Sequence, residues 1–157
     1  MKSKGFTLIE LLIVIAIIGI VAAIAIPNLL TALQKGKLKA TMGDMKNIGT
    51  AIESYMADNY MAPGGGSVNY IADLSAHLEP FYIKILPTRD AWNGMLRYQS
   101  GVISTNQSLY SIISYGRGGT STGIDINNNG YLINSLEGFE NDICFSNGIF
   151  TYAPKIR

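Results

Sequence analysis

The sequence predicts an α+β protein, with one long N-terminal helix, apolar in its first half, followed by a small antiparallel β-sheet head. Three observations carry this. An apolar run extends from Phe6 to Leu30. Apolar residues then continue at helical spacing as far as Tyr55, ahead of Pro63 and the stop signal Gly64-Gly65-Gly66. Beyond the glycines they fall into short runs, the last one bent about Asn147-Gly148. With 157 residues the chain fits one modest domain plus an anchor. Its formal net charge of +1, without a long basic patch, gives no case for nucleic-acid binding.

The N-terminal element comes first. A bilayer core takes about 20 apolar residues in a helix, so the Phe6–Leu30 run is long enough to span one. One reading is a secretory signal peptide, with Ala23-Ile24-Ala25 as a small-x-small cleavage site. Three features oppose it. The run exceeds the about 7–15 residues of a signal-peptide core. Glu10 lies inside it, where a charge costs about 2.5–3.5 kcal/mol. Pro27 follows the supposed cut closely, where a peptidase needs extended chain. A retained membrane helix is therefore the preferred reading. Lys2 and Lys4 flank its start and place that end in the cytoplasm and the head outside.

The helix does not stop at the membrane. Leu38, Met42, Met45, Ile48, Ile52 and Tyr55 recur at spacings of three and four, which makes an amphipathic stripe. Lys37, Lys39, Asp44, Lys46 and Glu53 fall largely on other faces. The expected end is near Asp58 to Tyr60, and a helix of roughly 50 residues is near 75 Å long. Pro27 removes the hydrogen bond to the Ala23 carbonyl. Gly36, Gly43 and Gly49 each weaken the helix by about 1 kcal/mol relative to alanine. These are either tolerated imperfections or a compliant segment that adjusts on packing.

In the head, Ile71–Leu78 reads as a short helix ending before Pro80. Met95–Ser100, Leu109–Tyr115 and Tyr131–Asn134 read as strands. The clearest local signal is Ile143–Tyr152, two β-branched and aromatic runs about Asn147-Gly148, which predicts a hairpin. A sheet laid on one long helix satisfies both apolar faces. Cys144 is the sole cysteine and forms no internal disulfide; it reads as a small buried side chain rather than a reactive thiol. His77 is the sole histidine, so no metal site of the usual His/Cys type can be assembled. No nucleophile motif surrounds any serine. The glycine-rich Gly116–Gly123 lacks the Lys-Ser/Thr ending of a phosphate loop and reads as a turn. The chain is not expected to be an enzyme.

Gly5-Phe6-Thr7-Leu8-Ile9-Glu10, the apolar helix and Pro27 together resemble the N-terminus of type IV prepilins and type II secretion pseudopilins. The resemblance implies the type IV pilin fold. It also implies a cut between Gly5 and Phe6 by a dedicated peptidase that methylates the new N-terminus. Residues 1–5 are then a leader, 6–30 a transmembrane and filament-core helix, 31–60 its amphipathic continuation and 61–157 the globular head. In that family the glutamate, here Glu10, is thought to meet the terminal amine, here of Phe6, on a neighbouring subunit. The alternative is a glutamate that reaches the membrane interface by itself. Gly19 and Ala23 form a small-x-x-x-small pair that lets helices approach closely, or simply reflect the composition of membrane helices. For Pro27 the resemblance favours the compliant reading.

The head resembles one subclass. Leu86-Pro87-Thr88-Arg89-Asp90-Ala91-Trp92-Asn93-Gly94, Tyr98, Ser114-Tyr115-Gly116 and Asp142-Ile143 are similar to the corresponding region of major type II secretion pseudopilins. Ala91 stands where that family usually has proline, and Asn93 intervenes between Trp92 and Gly94. Major pseudopilins bind calcium in a C-terminal loop, which implies Asp125, Glu140 and Asp142 as the carboxylates. The segment Asp125-Ile126-Asn127-Asn128-Asn129-Gly130 itself has calcium-loop spacing at positions one, three, five and six. Leu136, however, stands where the bidentate glutamate belongs. The other reading is a solvated turn.

The leading expectation is a structural subunit, processed and polymerised into a pseudopilus that supports type II secretion. It would sit in the inner membrane, N-terminus in the cytoplasm and head in the periplasm. The partners implied are further copies of the chain, the prepilin peptidase/methylase, an inner-membrane assembly platform and its ATPase, and minor pseudopilins. One alternative is a surface type IV pilin for adhesion, motility or DNA uptake. Another is a monomeric membrane-tethered binding domain.

Overall fold

A computed structural model describes residues 5–64, 68–100, 109–123, 130, 131, 133 and 135–155. The chain divides into two compact units, Met1–Lys35 and Gly36–Arg157. Helix α1, Leu8–Asn59, contributes to both.

In the first unit α1 runs through Pro27, and the Thr31 hydroxyl donates to the Pro27 carbonyl at 3.0 Å. Its apolar side chains face outward: Leu8, Ile13, Ile17, Ile24 and Leu29 each expose more than half their surface. The helix is long and apolar enough to cross a membrane. A helix apolar on every face has no stable place in water and needs lipid or other helices around it.

In the second unit the sheet comprises β1 Val68–Tyr70, β2 Arg97–Ser100, β3 Tyr110–Ser114, β4 Ile143–Ser146 and β5 Ile149–Tyr152. The spatial order is the chain order, and every neighbouring pair is antiparallel. Between β1 and β2 lie a 3-10 turn, Ile71–Leu74, and helix α2, Ser75–Leu78. The core is the seam between α1 and the sheet. Leu38, Met45, Ile48 and Ile52 of the predicted stripe are buried against Tyr98, Ile112, Ile143 and Phe145, with Met42 and Tyr55 at the margin. Burying each such side chain contributes about 1.5–3 kcal/mol.

Thr41 lies on the same face, fully buried, and its hydroxyl accepts the Ala91 N–H at 3.1 Å. That bond ties the segment Arg89–Met95 to the helix. Within this segment Asp90 is the hub. Its Oδ1 accepts from the Trp92 and Gly94 amides at 3.0 and 2.8 Å, and its Oδ2 from the Ser114 hydroxyl at 2.8 Å. The additional Asn93 is accommodated in the left-handed region at φ 71°, which asparagine tolerates better than most residues.

The hairpin forms as expected. Asn147 and Gly148 take φ 47° and 85°, the two positive values of a type I′ turn. Asn147 Oδ1 also accepts the Tyr110 amide at 3.0 Å. Helix α1 ends within the predicted window, and Tyr60 closes it at φ 59° while donating its N–H to Met56. The expected helix Ile71–Leu78 is present but begins as a 3-10 turn, with Asp73 accepting the Tyr70 amide at 3.0 Å. Two of the three other expected strands form β2 and β3. In the third, Tyr131 forms a single bridge to Pro154, and Leu132 and Asn134 lie outside the described residues. Strand β1 is not foreshadowed by the sequence pattern: three residues after a glycine-rich stretch are too short to show a period. Its pairing to β2 is reinforced by the Arg97 guanidinium over the Tyr70 ring, 4.8 Å from the centroid. Cys144 is buried on β4.

The three helix glycines are not equivalent, contrary to expectation. Gly36 and Gly43 have nothing within 4 Å of where a Cβ would stand, as expected of glycines that only loosen the helix. Gly49 differs, because a Cβ there would lie 2.3 Å from Phe145 Cε1 and 3.1 Å from the Tyr110 hydroxyl. It is glycine because the sheet lies directly on the helix at that point.

Candidate processing and assembly site

The candidate site is the start of α1. The helix begins at Leu8, which makes Thr7 its N-cap and Glu10 its third residue. The Glu10 amide donates to Thr7 Oγ1 at 3.3 Å. Glu10 Oε2 accepts from the Thr7 amide at 2.8 Å and from the Thr7 hydroxyl at 2.7 Å. This reciprocal arrangement is a capping box, which satisfies helix N–H groups left without intrahelical partners. It also gives a carboxylate in an apolar segment two donors from its own chain, which lowers the cost of carrying it there. Thr7 is absent from the residues expected to matter, although Thr7-x-x-Glu10 ahead of an apolar run is the signature of such a cap.

Phe6 and Glu10 are exposed, and among the described residues nothing lies within 4 Å of the position a Cβ on Gly5 would take. Gly19 and Ala23 lie exposed on successive turns of α1, again with space beside Gly19, and Pro27 is exposed one turn further on. The predicted residues thus line one uncovered helical rod rather than a pocket. Such a rod can be cut at its tip and can pack against other rods. Lys2 and Lys4 lie outside the described residues.

The expected metal ligands sit in the second unit. Glu140 pairs with Arg117. Asp142 is fully buried, its Oδ2 accepting from the Ser121 hydroxyl at 3.0 Å and its Oδ1 from the Thr122 amide at 3.1 Å. Asp125 lies outside the described residues.

A capped, apolar, prepilin-type helix joined to a small antiparallel sheet defines the chain as type IV pilin-like. Its residues 1–26 match the prokaryotic N-terminal methylation motif. It is 30% identical over 136 residues to the type II secretion system core protein G of Pseudomonas aeruginosa, covering 81% of this chain and 95% of that protein. Against the protein of the same name from Vibrio cholerae it is 30% identical over 135 residues, 81% and 92% of the two chains. It is also 48% identical over 64 residues to the type IV major fimbrial protein FimA of Dichelobacter nodosus, 40% of each chain. No solved structure matches it. The chain belongs to the family of type II secretion system core protein G.

Proposed function

We propose that this protein is the major structural subunit of a type II secretion pseudopilus. It is made as a membrane prepilin, cut between Gly5 and Phe6, methylated on Phe6, and polymerised with its apolar helices inside and its heads outside. The observation that carries this reading is similarity along 95% of a type II secretion system core protein, joined to an apolar helix whose faces all lie bare. Filament growth from the inner membrane, worked by an assembly platform and its ATPase and initiated by minor pseudopilins, would help move folded proteins outward. The subunit itself performs no covalent chemistry.

In this reading Glu10 is the register device. Cleavage exposes an amine at Phe6 with a reference pKa of about 7.7–8.0, hence cationic near neutrality. The amine of a subunit already in the filament and the Glu10 carboxylate of an entering one attract strongly in a low-dielectric surround. Glu10 must then exchange at least one Thr7 contact for that amine. Gly19 and Ala23 permit close approach of neighbouring helices, and Pro27 permits local adjustment.

The decisive experiment deletes the gene and measures both secreted enzymes and surface motility. Loss of secretion with motility intact supports the pseudopilus. The similarity to FimA supports a second reading, a surface pilin, and the reverse pattern would select it. Glu10→Leu should leave a stable membrane protein with few or no filaments; normal filament yield from it would remove Glu10 from the mechanism. Cysteines placed in the apolar helix should give cross-linked ladders, whereas a monomeric tether would give none.

A further inference from the structure

The family resemblance implies calcium between two segments of the head, and the described residues do not fit it. We propose instead that Arg117 is the resident cation of this loop pair, and that a hydrogen-bonded clasp on Asp142 closes it without metal.

Calcium takes six to eight oxygen ligands, several of them carboxylates, with their lone pairs turned toward one point. Of the three carboxylates that the resemblance implies, Asp125 lies outside the described residues, and the other two, Glu140 and Asp142, are turned elsewhere. The Arg117 guanidinium donates to Glu140 Oε1 at 2.5 Å, so a fixed positive charge already sits on that carboxylate. Asp142 is fully buried, and each of its oxygens has a hydrogen aimed at it, from the Ser121 hydroxyl and from the Thr122 amide. The Asp142 amide in turn donates to Thr122 Oγ1 at 3.2 Å, and the Gly123 amide donates to Ser121 Oγ at 3.3 Å. The clasp is thus reciprocal: carboxylate to the loop, loop hydroxyl back to the backbone beside the carboxylate.

There is also no gap for an ion where the segments first meet. At Gly116, with φ +59°, a Cβ would lie 2.6 Å from both the Phe139 and the Asn141 carbonyl oxygens. A Cβ at Gly118 would lie 3.3 Å from Glu140 Cβ. The segments 116–118 and 139–141 are in direct contact, with Arg117 between two small residues reaching over to Glu140. Among the described residues no group of three or more His, Cys, Asp or Glu side chains is gathered that could hold a metal ion. A guanidinium and a hydroxyl–amide clasp therefore supply the charge compensation and the cross-link that a metal would otherwise supply. This inference concerns the head alone and stands whichever filament the subunit builds.

The test is thermal melting of the full chain in detergent micelles, followed by near-ultraviolet circular dichroism, in millimolar calcium chloride and in excess EGTA. Wild-type protein should melt at the same temperature in both. Ser121→Ala should melt about 2–6 °C lower in both, since it strips a donor from a buried carboxylate. Ser121→Thr, which keeps the hydroxyl, should restore the wild-type midpoint. Arg117→Ala should show a smaller drop that high salt erases. A wild-type midpoint raised by calcium would overturn the proposal. So would Ser121→Ala melting like wild type in EGTA. Should Ser121→Ala fail to fold, the wild-type comparison and Ser121→Thr still decide.

Discussion

Gly49 and Phe145 meet at the seam between α1 and the sheet, where a methyl group on the glycine would stand 2.3 Å from the ring. Phe145 is almost fully buried and packed against Phe150, centroids 4.8 Å apart, so the ring has little room to withdraw. Gly49→Ala gains about 1 kcal/mol in helix propensity but meets an overpacking cost of about 1–3 kcal/mol. The expected net result is a lower urea midpoint. Gly43→Ala, with open space beside it, should raise the midpoint, through a gain of up to about 1 kcal/mol. The two alanines moving the same way would contradict the packing.

Asp90 should be among the most sensitive positions outside the apolar core. Asp90→Ala removes three acceptor contacts and strands donors at Trp92, Gly94 and Ser114. The Ser114 donor is buried and those of Trp92 and Gly94 only partly so, and a stranded buried donor costs about 1–3 kcal/mol, so a loss of at least about 1 kcal/mol is expected in urea denaturation. Ser114→Ala should lose less, because two backbone contacts to Asp90 survive.

The head should be alkali-sensitive. Burial pushes the Tyr98 hydroxyl up to about 12, where it donates to the Pro63 carbonyl at 2.7 Å. Burial also raises Tyr110, helped by its bond to Glu53, and raises Tyr131. A folded pKa above the unfolded value of about 10 means the native state holds its proton longer. That stability is complete below about pH 10 and is lost as pH rises toward 12, by about 2–3 kcal/mol for Tyr98. The melting midpoint should be flat from neutrality to about pH 9 and fall above it. Tyr98→Phe should be less stable at neutrality yet flatten the alkaline slope. An unchanged slope would show that other groups set it.

Thr7 should matter through its hydroxyl. Thr7→Ser keeps both contacts to Glu10 and should give normal filament yield in sheared fractions. Thr7→Val keeps the shape, removes the cap and should reduce yield, with a helix N-terminus weaker by about 1 kcal/mol. Equal yields from the two variants would separate the cap from assembly.

The long-range architecture is legible in the sequence because its signals are strong and local. The apolar run, the three–four stripe ending at Tyr55 and the Asn147-Gly148 turn each act within a few residues, and each element stands where its pattern places it. Capping chemistry at Thr7 is also local and readable, though the charge of Glu10 draws attention away from it. The role of Gly49 is not readable, because its constraint comes from Phe145, ninety-six positions along the chain. The same holds for Asp142: its partners Ser121 and Thr122 are fixed only once the segments are brought together.

Because spatial order in the sheet repeats chain order, no strand has to thread between two already paired. The polypeptide can lay down its head progressively as it is made, α1 serving as the template and each new strand joining the one before. Only the last hairpin, arriving with Phe145 over Gly49, seals the structure. A subunit whose last hairpin was still being synthesised would therefore be nearly formed but not yet locked.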